Sequence, residues 1–94
     1  MKISTKGRYG IRALIDLAIN IENENVTIKT ISERQDISER YLEQIFSLLR
    51  KGGIIDGKKG AQGGYSLIKE KKDITVYEIL KVLESVQAID FINR

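Results

Sequence analysis

Between Ser32 and Gly52 the chain reads SERQDISERYLEQIFSLLRKG, and this stretch limits what the rest can fold into more than any other. Run as one helix from Ser38, it sets Leu42, Ile45, Phe46 and Leu49 at i, i+3, i+4 and i+7, so they share one face that needs a core. At about 100° per residue, Arg40, Glu43, Gln44, Ser47 and Lys51 fall on the opposite side, a polar stripe free to touch a partner. Upstream, Thr27 can cap a short helical segment that points Ile28 and Ile31 inward and ends near Gln35. Asp36-Ile37 then separates it from Ser38, a good N-cap, and Asp36 tolerates the left-handed backbone of tight interhelical turns, though less well than glycine. The pattern predicts helix, tight turn, helix, in which the second helix enters the DNA major groove. A solvated helix face with an Arg40 to Gln44 or Glu43 to Lys51 contact is the alternative reading.

The flanking chain supplies the rest of a small domain. From Thr5 to Ile21, the apolar Ile11, Leu14, Ile15, Ala18 and Ile21 keep helical spacing, with Lys6, Arg8 and Arg12 in the first turns. Cations there oppose the helix dipole by on the order of a few tenths of a kcal/mol, so helix stability does not explain them; a phosphate contact does. Glu22-Asn23-Glu24-Asn25 reverses the chain. The third helix stops at Gly52-Gly53, where a glycine just past the end can take a positive φ. Ile54-Ile55 and Tyr65-Ser66-Leu67-Ile68 have β composition, and Gly57, Lys58, Lys59, Gly60, Gln62, Gly63 and Gly64 lie between them. This predicts a hairpin with a basic, flexible tip. An ordinary glycine-rich connection is the alternative, but adjacent lysines at a tip add repulsion the fold does not need. The glycine spacing fits no nucleotide phosphate loop. Thr75 to Glu78 has the form of a capping box, and Val76, Ile79, Leu80 and Leu83 continue a fourth helix that closes the core. Residues 86–94, with Val86, Ala88, Ile89, Phe91 and Ile92, form a tail too apolar to hang free, so it either packs back or begins an element that stops short.

Composition narrows the function. A chain of 94 residues makes one domain, and no apolar run approaches the ~18 residues of a membrane span. The N-terminus lacks the apolar centre of a secretory signal, which points to the cytoplasm. Cysteine and histidine are both absent, removing thiolate chemistry and the usual general base, and no carboxylates form a recognisable acid/base pair. An enzyme is not expected. The net charge is only +3, yet Lys2, Lys6, Arg8 and Arg12 precede the first acidic residue, Asp16, and Arg50, Lys51, Lys58 and Lys59 bracket Asp56. Two such clusters suggest nucleic acid, or else two solvated surfaces. RNA would want exposed aromatics for stacking, and with two Phe and four Tyr that platform is missing. The reading is a winged helix-turn-helix domain over residues 1–85, mainly α with a small β-hairpin, that binds double-stranded DNA. A winged-helix module for protein-protein assembly is the alternative.

The stretches MKISTKGRYG, ISERYLEQIFSLLRKGG, GAQGGYSL and ITVYEILKVLES closely resemble the Rrf-type (BadM/Rrf) bacterial transcription regulators, over nearly the whole chain. The resemblance implies a repressor that binds a pseudo-palindromic operator as a homodimer, with the helix from Ser38 in the major groove and the wing, Lys58 to Gly64, at the minor groove. By position, Ser38, Arg40, Tyr41, Glu43 and Gln44 stand where the family contacts bases and phosphates, and Lys59 where a wing arginine often sits. Lys6, Arg8, Lys58 and Gln62 complete the expected DNA-binding set. Glu43 can accept from a cytosine amino group, Gln44 can bond adenine bidentately, and Arg40 can take guanine or a phosphate. Tyr41 can instead pack beside the core. Many members continue with three cysteines that hold an iron-sulfur cluster and a long helix that forms the dimer. Neither occurs in these residues, so no cofactor and only weak pairing through the apolar tail are expected. The chain reads as the DNA-binding part of a longer protein or as a short member.

Overall fold

Three hydroxyl side chains start the three helices of the first half. Ser4 accepts from the Gly7 N–H (3.0 Å) ahead of α1 (Thr5–Asn20), Thr27 from Thr30 (3.2 Å) ahead of α2 (Ile28–Gln35), and Ser38 from Tyr41 (3.1 Å) ahead of α3 (Glu39–Lys51). Each such cap is worth about 1 kcal/mol. The computed structural model describes residues 3–58 and 60–92, with side chains as far as position 84. Lys2, Lys59 and the side chains of the apolar tail lie outside the described residues.

The turn between α2 and α3 forms as its sequence suggests: Asp36 takes the left-handed conformation at φ 55°. Gly52 ends α3, and Gly53 follows at φ 77°. Strands β1 (Ile55–Gly57) and β2 (Tyr65–Leu67) pair antiparallel with Asp56 opposite Ser66. After a 3-10 turn, Lys71–Asp73, comes α4 (Val76–Ile92). Thr75 caps α4 by accepting from the Glu78 N–H at 3.1 Å, but the Glu78 carboxylate takes Lys69 at 2.5 Å, so only half of the expected capping box forms. The helix does not stop near Glu84; it continues without a break through Ile92, so that part of the expected tail is helix.

The core centres on α3, whose Leu42, Ile45, Phe46 and Leu49 are buried against Val26, Ile31, Ile37, Ile54 and Leu83. The expected stripe on α1 needs correction. Of the expected residues Leu14 is buried and Ile11 and Ile21 pack half-buried against the core, but Ile15 is 53% exposed, and Ala13 and Leu17 are buried beside Leu14. Helix α1 carries apolar residues on both flanks, and the glycines decide between them. A Cβ on Gly10 would overlap Leu83, and one on Gly7 would meet Glu84, Ile3 and Leu80, so α4 packs closest along that side. Close approach gains contacts that a bulkier face would forfeit. Val76, expected inside, is 54% exposed because it sits in the first turn of α4, at the rim of the core.

Candidate nucleic-acid interface

Burying one stripe of α3 forces the opposite stripe outward. Arg40, Glu43, Gln44, Ser47 and Lys51 are all exposed. None of their side chains makes a hydrogen bond or ion pair among the described residues, so neither the Arg40 to Gln44 nor the Glu43 to Lys51 contact forms. Lys6, from the first turn of α1, lines one open groove with Arg40, Glu43, Gln44 and Ser47. On the other flank, Glu43 and Ser47 line a second groove with Arg50, Lys51 and Tyr65. Glu43 and Ser47 therefore stand on the ridge between two grooves, each containing cations.

The wing is docked on this helix. Tyr65 of β2 packs edge-on against Phe46, with ring centroids 4.8 Å apart. The Tyr65 N–H donates to the Val26 carbonyl (3.0 Å), which ties β2 to the loop between α1 and α2. At the tip, the Lys58 N–H donates to Gly64 O (2.9 Å) and the Gly63 N–H to Gly60 O (3.3 Å). Lys58 and Gln62 are exposed there. Arg50 reaches Asp56 at 3.7 Å, a surface pair worth little.

The other expected residues take different positions. Ser38 uses its hydroxyl as the α3 cap. Arg8 is exposed on α1, 3.4 Å from the Thr5 hydroxyl. Tyr41 is half-buried and its ring meets Tyr9 at 5.7 Å and 78°. Burial pushes the Tyr41 phenol above its ordinary range, with Tyr9 and Glu84 adding to the effect. Arg12, grouped by sequence with the first-helix cations, is exposed but is engaged within the chain. Its guanidinium lies 5.4 Å from the Tyr9 ring centroid and donates to Gln35 O at 2.6 Å, at the end of α2. Lys59 is outside the described residues.

Sequence reasoning missed the group that holds α1 to α2. Asp16 is buried and accepts from Arg34 (2.7 Å) and Gln35 (2.9 Å), while Arg34 also donates to Glu24 (3.0 Å). Burial raises the Asp16 carboxyl, but hydrogen bonds from Arg34, Gln35 and Asn20 and the charge of Arg34 outweigh it and hold the group below the usual carboxylate range. These contacts fix the end of α2 against α1, and through the Asp36 turn they fix where α3 begins. The available signal was one charge in an otherwise apolar run, Ala13 to Ala18.

Comparison with known proteins identifies the family. Residues 3–94 match the model of the Rrf2 family, described as an iron-dependent transcriptional regulator. Protein rrf2 of Nitratidesulfovibrio vulgaris is 43% identical over 88 residues, covering 94% of this chain and 59% of that protein. The HTH-type transcriptional regulator IscR of Klebsiella pneumoniae is 46% identical over 89 residues, covering 94% and 55%. The chain thus spans little more than half the length of these curated relatives. Among solved structures, IscR of T. potens is similar at a TM-score of 0.81 and 41% identity, covering 99% of this chain and 74% of that one. CymR, the global cysteine regulator of B. subtilis, is similar at 0.83 and 44%, covering 89% and 65%. These relatives are regulators, not enzymes. Iron does not fit the residues at hand: the 94 residues contain no cysteine or histidine, and no group of three metal-ligating side chains occurs among the described residues.

Proposed function

The chain belongs to the Rrf2 family of transcriptional regulators, and from that premise we propose that it is the DNA-binding part of a repressor that sits as a homodimer on a pseudo-palindromic operator. In this reading α3 lies in the major groove, where Arg40, Glu43 and Gln44 read base edges. Ser38 and Tyr41 flank the entry of the helix, and the wing, with Lys58, Lys59 and Gln62, reaches the minor groove. Lys6 and Arg8 hold phosphates. Residues 1–85 form the binding unit, and the apolar stretch 86–94 contributes to contact between two copies. Two copies are needed because a mismatched base pair costs only about 1 to 3 kcal/mol, too little for one short helix to find its operator. A DNA partner places the protein in the cytoplasm; among the described residues no helix is long and apolar enough to cross a membrane.

The observation that carries the reading is the unpartnered polar stripe of α3 between two cation-bearing grooves. An i,i+4 pair such as Arg40 and Gln44 would contribute only about 0.2 to 0.5 kcal/mol if closed, so leaving it open costs the fold little and keeps both side chains for a partner. The assembly-module alternative has no comparable support, since the relatives are HTH-type transcriptional regulators. Selection of bound sequences from a random duplex pool tests the reading. A two-fold symmetric motif is expected, and a pool recovered without any preference overturns it.

A further inference from the structure

We propose that Asn25, in the loop between α1 and α2, is a wing-positioning residue: it latches the base of the wing and so sets the direction in which Lys58 and Gln62 meet DNA. The inference rests on the DNA-binding reading above but adds a residue outside the recognition helix and the wing. The Asn25 carboxamide nitrogen donates to the carbonyls of Gly63 (3.2 Å) and Gln62 (3.4 Å), where the wing turns back toward β2. Both partners are carbonyl oxygens, so the group facing them must be a donor. Gly64 lies close to the same carboxamide, and a Cβ there would overlap the Asn25 oxygen. Its φ of 99° also excludes most side chains. Gly64 O in turn accepts from the Lys58 N–H at 2.9 Å. One continuous path therefore runs from the α1–α2 loop through Asn25, the Gln62 to Gly64 turn and the backbone of Lys58.

The wing needs such a tie. Its two strands are three residues each, and a two-stranded ribbon of that length is marginal by itself. Gly60, Gly63 and Gly64 all have positive φ, at 121°, 68° and 99°, so the segment between the strands has little intrinsic stiffness. The Tyr65 N–H to Val26 O bond holds the strand end, and Asn25 is the side chain that carries the hold on into the turn. A cation that must find a phosphate or a groove loses affinity when its backbone wanders, because ordering it then falls to the binding step.

The test uses the full chain with Asn25→Ala, and Gly64→Ala as a second variant. In the free protein, amide hydrogen exchange at Lys58 and Tyr65 is expected to quicken roughly two- to ten-fold in both variants, with Leu42 and Phe46 in α3 unchanged. On DNA, Asn25→Ala is expected to weaken all sequences alike, to lower the log K against log salt slope by about 0.9, and to make a further Lys58→Ala change nearly silent. Unchanged exchange at Lys58 and Tyr65 overturns the latch, as does an equal rise in α3, which would mark a general loss of stability. A full Lys58→Ala effect in the Asn25→Ala background also overturns it. Failure of the DNA reading is distinguishable: the unaltered chain would then bind no duplex, while exchange in the free protein still decides the latch.

Discussion

The ring of Tyr65 meets that of Phe46 at 90°, with centroids 4.8 Å apart, so the first residue of β2 is seated on the buried side of α3. Edge-to-face pairs add about 0.5 to 1.5 kcal/mol beyond their buried area. Tyr65→Ala is expected to lower unfolding free energy by about 2 kcal/mol in urea titrations, since the ring is only half-buried. A change under about 0.5 kcal/mol would mean that the pair does not hold the wing.

Acid stability should report on Asp16. Its carboxyl is held below the ordinary value in the folded chain, so it contributes stability that is present above an unfolded pKa of about 3.9 and lost as pH falls through the lower, folded value. Asp16→Asn is expected to reduce stability near neutral pH by about 2 kcal/mol, discounted because Arg34 is one-third exposed. It should also flatten the decline below pH 4. Urea midpoints measured from pH 6 down to pH 2.5 check both, and parallel curves for the two proteins would show that Asp16 is not the titrating group.

The cations have a separate signature. Lys6→Ala, Arg8→Ala, Lys58→Ala and Lys59→Ala are each expected to weaken every DNA sequence by a similar factor and to reduce the salt slope by about 0.9 per lost phosphate contact. Titrations at several salt concentrations measure this, and four unchanged slopes would remove the electrostatic half of the proposed interface.

Without cysteine or histidine, the 94-residue chain is expected to show no cluster absorbance after anaerobic reconstitution. Stoichiometric iron and sulfide retained through gel filtration would contradict this.

What was legible in the sequence followed local rules. Ser38 as a cap, Asp36 in the left-handed turn, Gly53 past the helix end and the Leu42, Ile45, Phe46, Leu49 face each depend on neighbours within a turn or two. What was hidden depends on partners far along the chain. Asp16 finds Arg34 18 residues on, Asn25 finds Gly63 38 residues on, and Tyr41 is drawn to Tyr9 on another helix. On α1 the expected Leu14 is buried and Ile11 and Ile21 pack against the core, but Ile15 is exposed and Ala13 and Leu17 are buried instead. Ile15 satisfies helical spacing as well as Ala13 and Leu17 do, and the approach of α4 over Gly7 and Gly10 separates them. Arg12 looked like Lys6 and Arg8 in sequence, yet the carbonyl of Gln35 lies within its reach.

Base readout by α3 is the claim on which the rest depends, and sequence selection with Glu43→Ala and Gln44→Ala reads it most directly. Each variant is expected to relax preference at one symmetric base position in each half-site, at a cost of about 1 to 3 kcal/mol on the original operator. Lys58→Ala, run beside them, should lower affinity while leaving the preference pattern intact. If both α3 variants select the same motif as the unaltered chain, the exposed stripe of α3 does not read DNA.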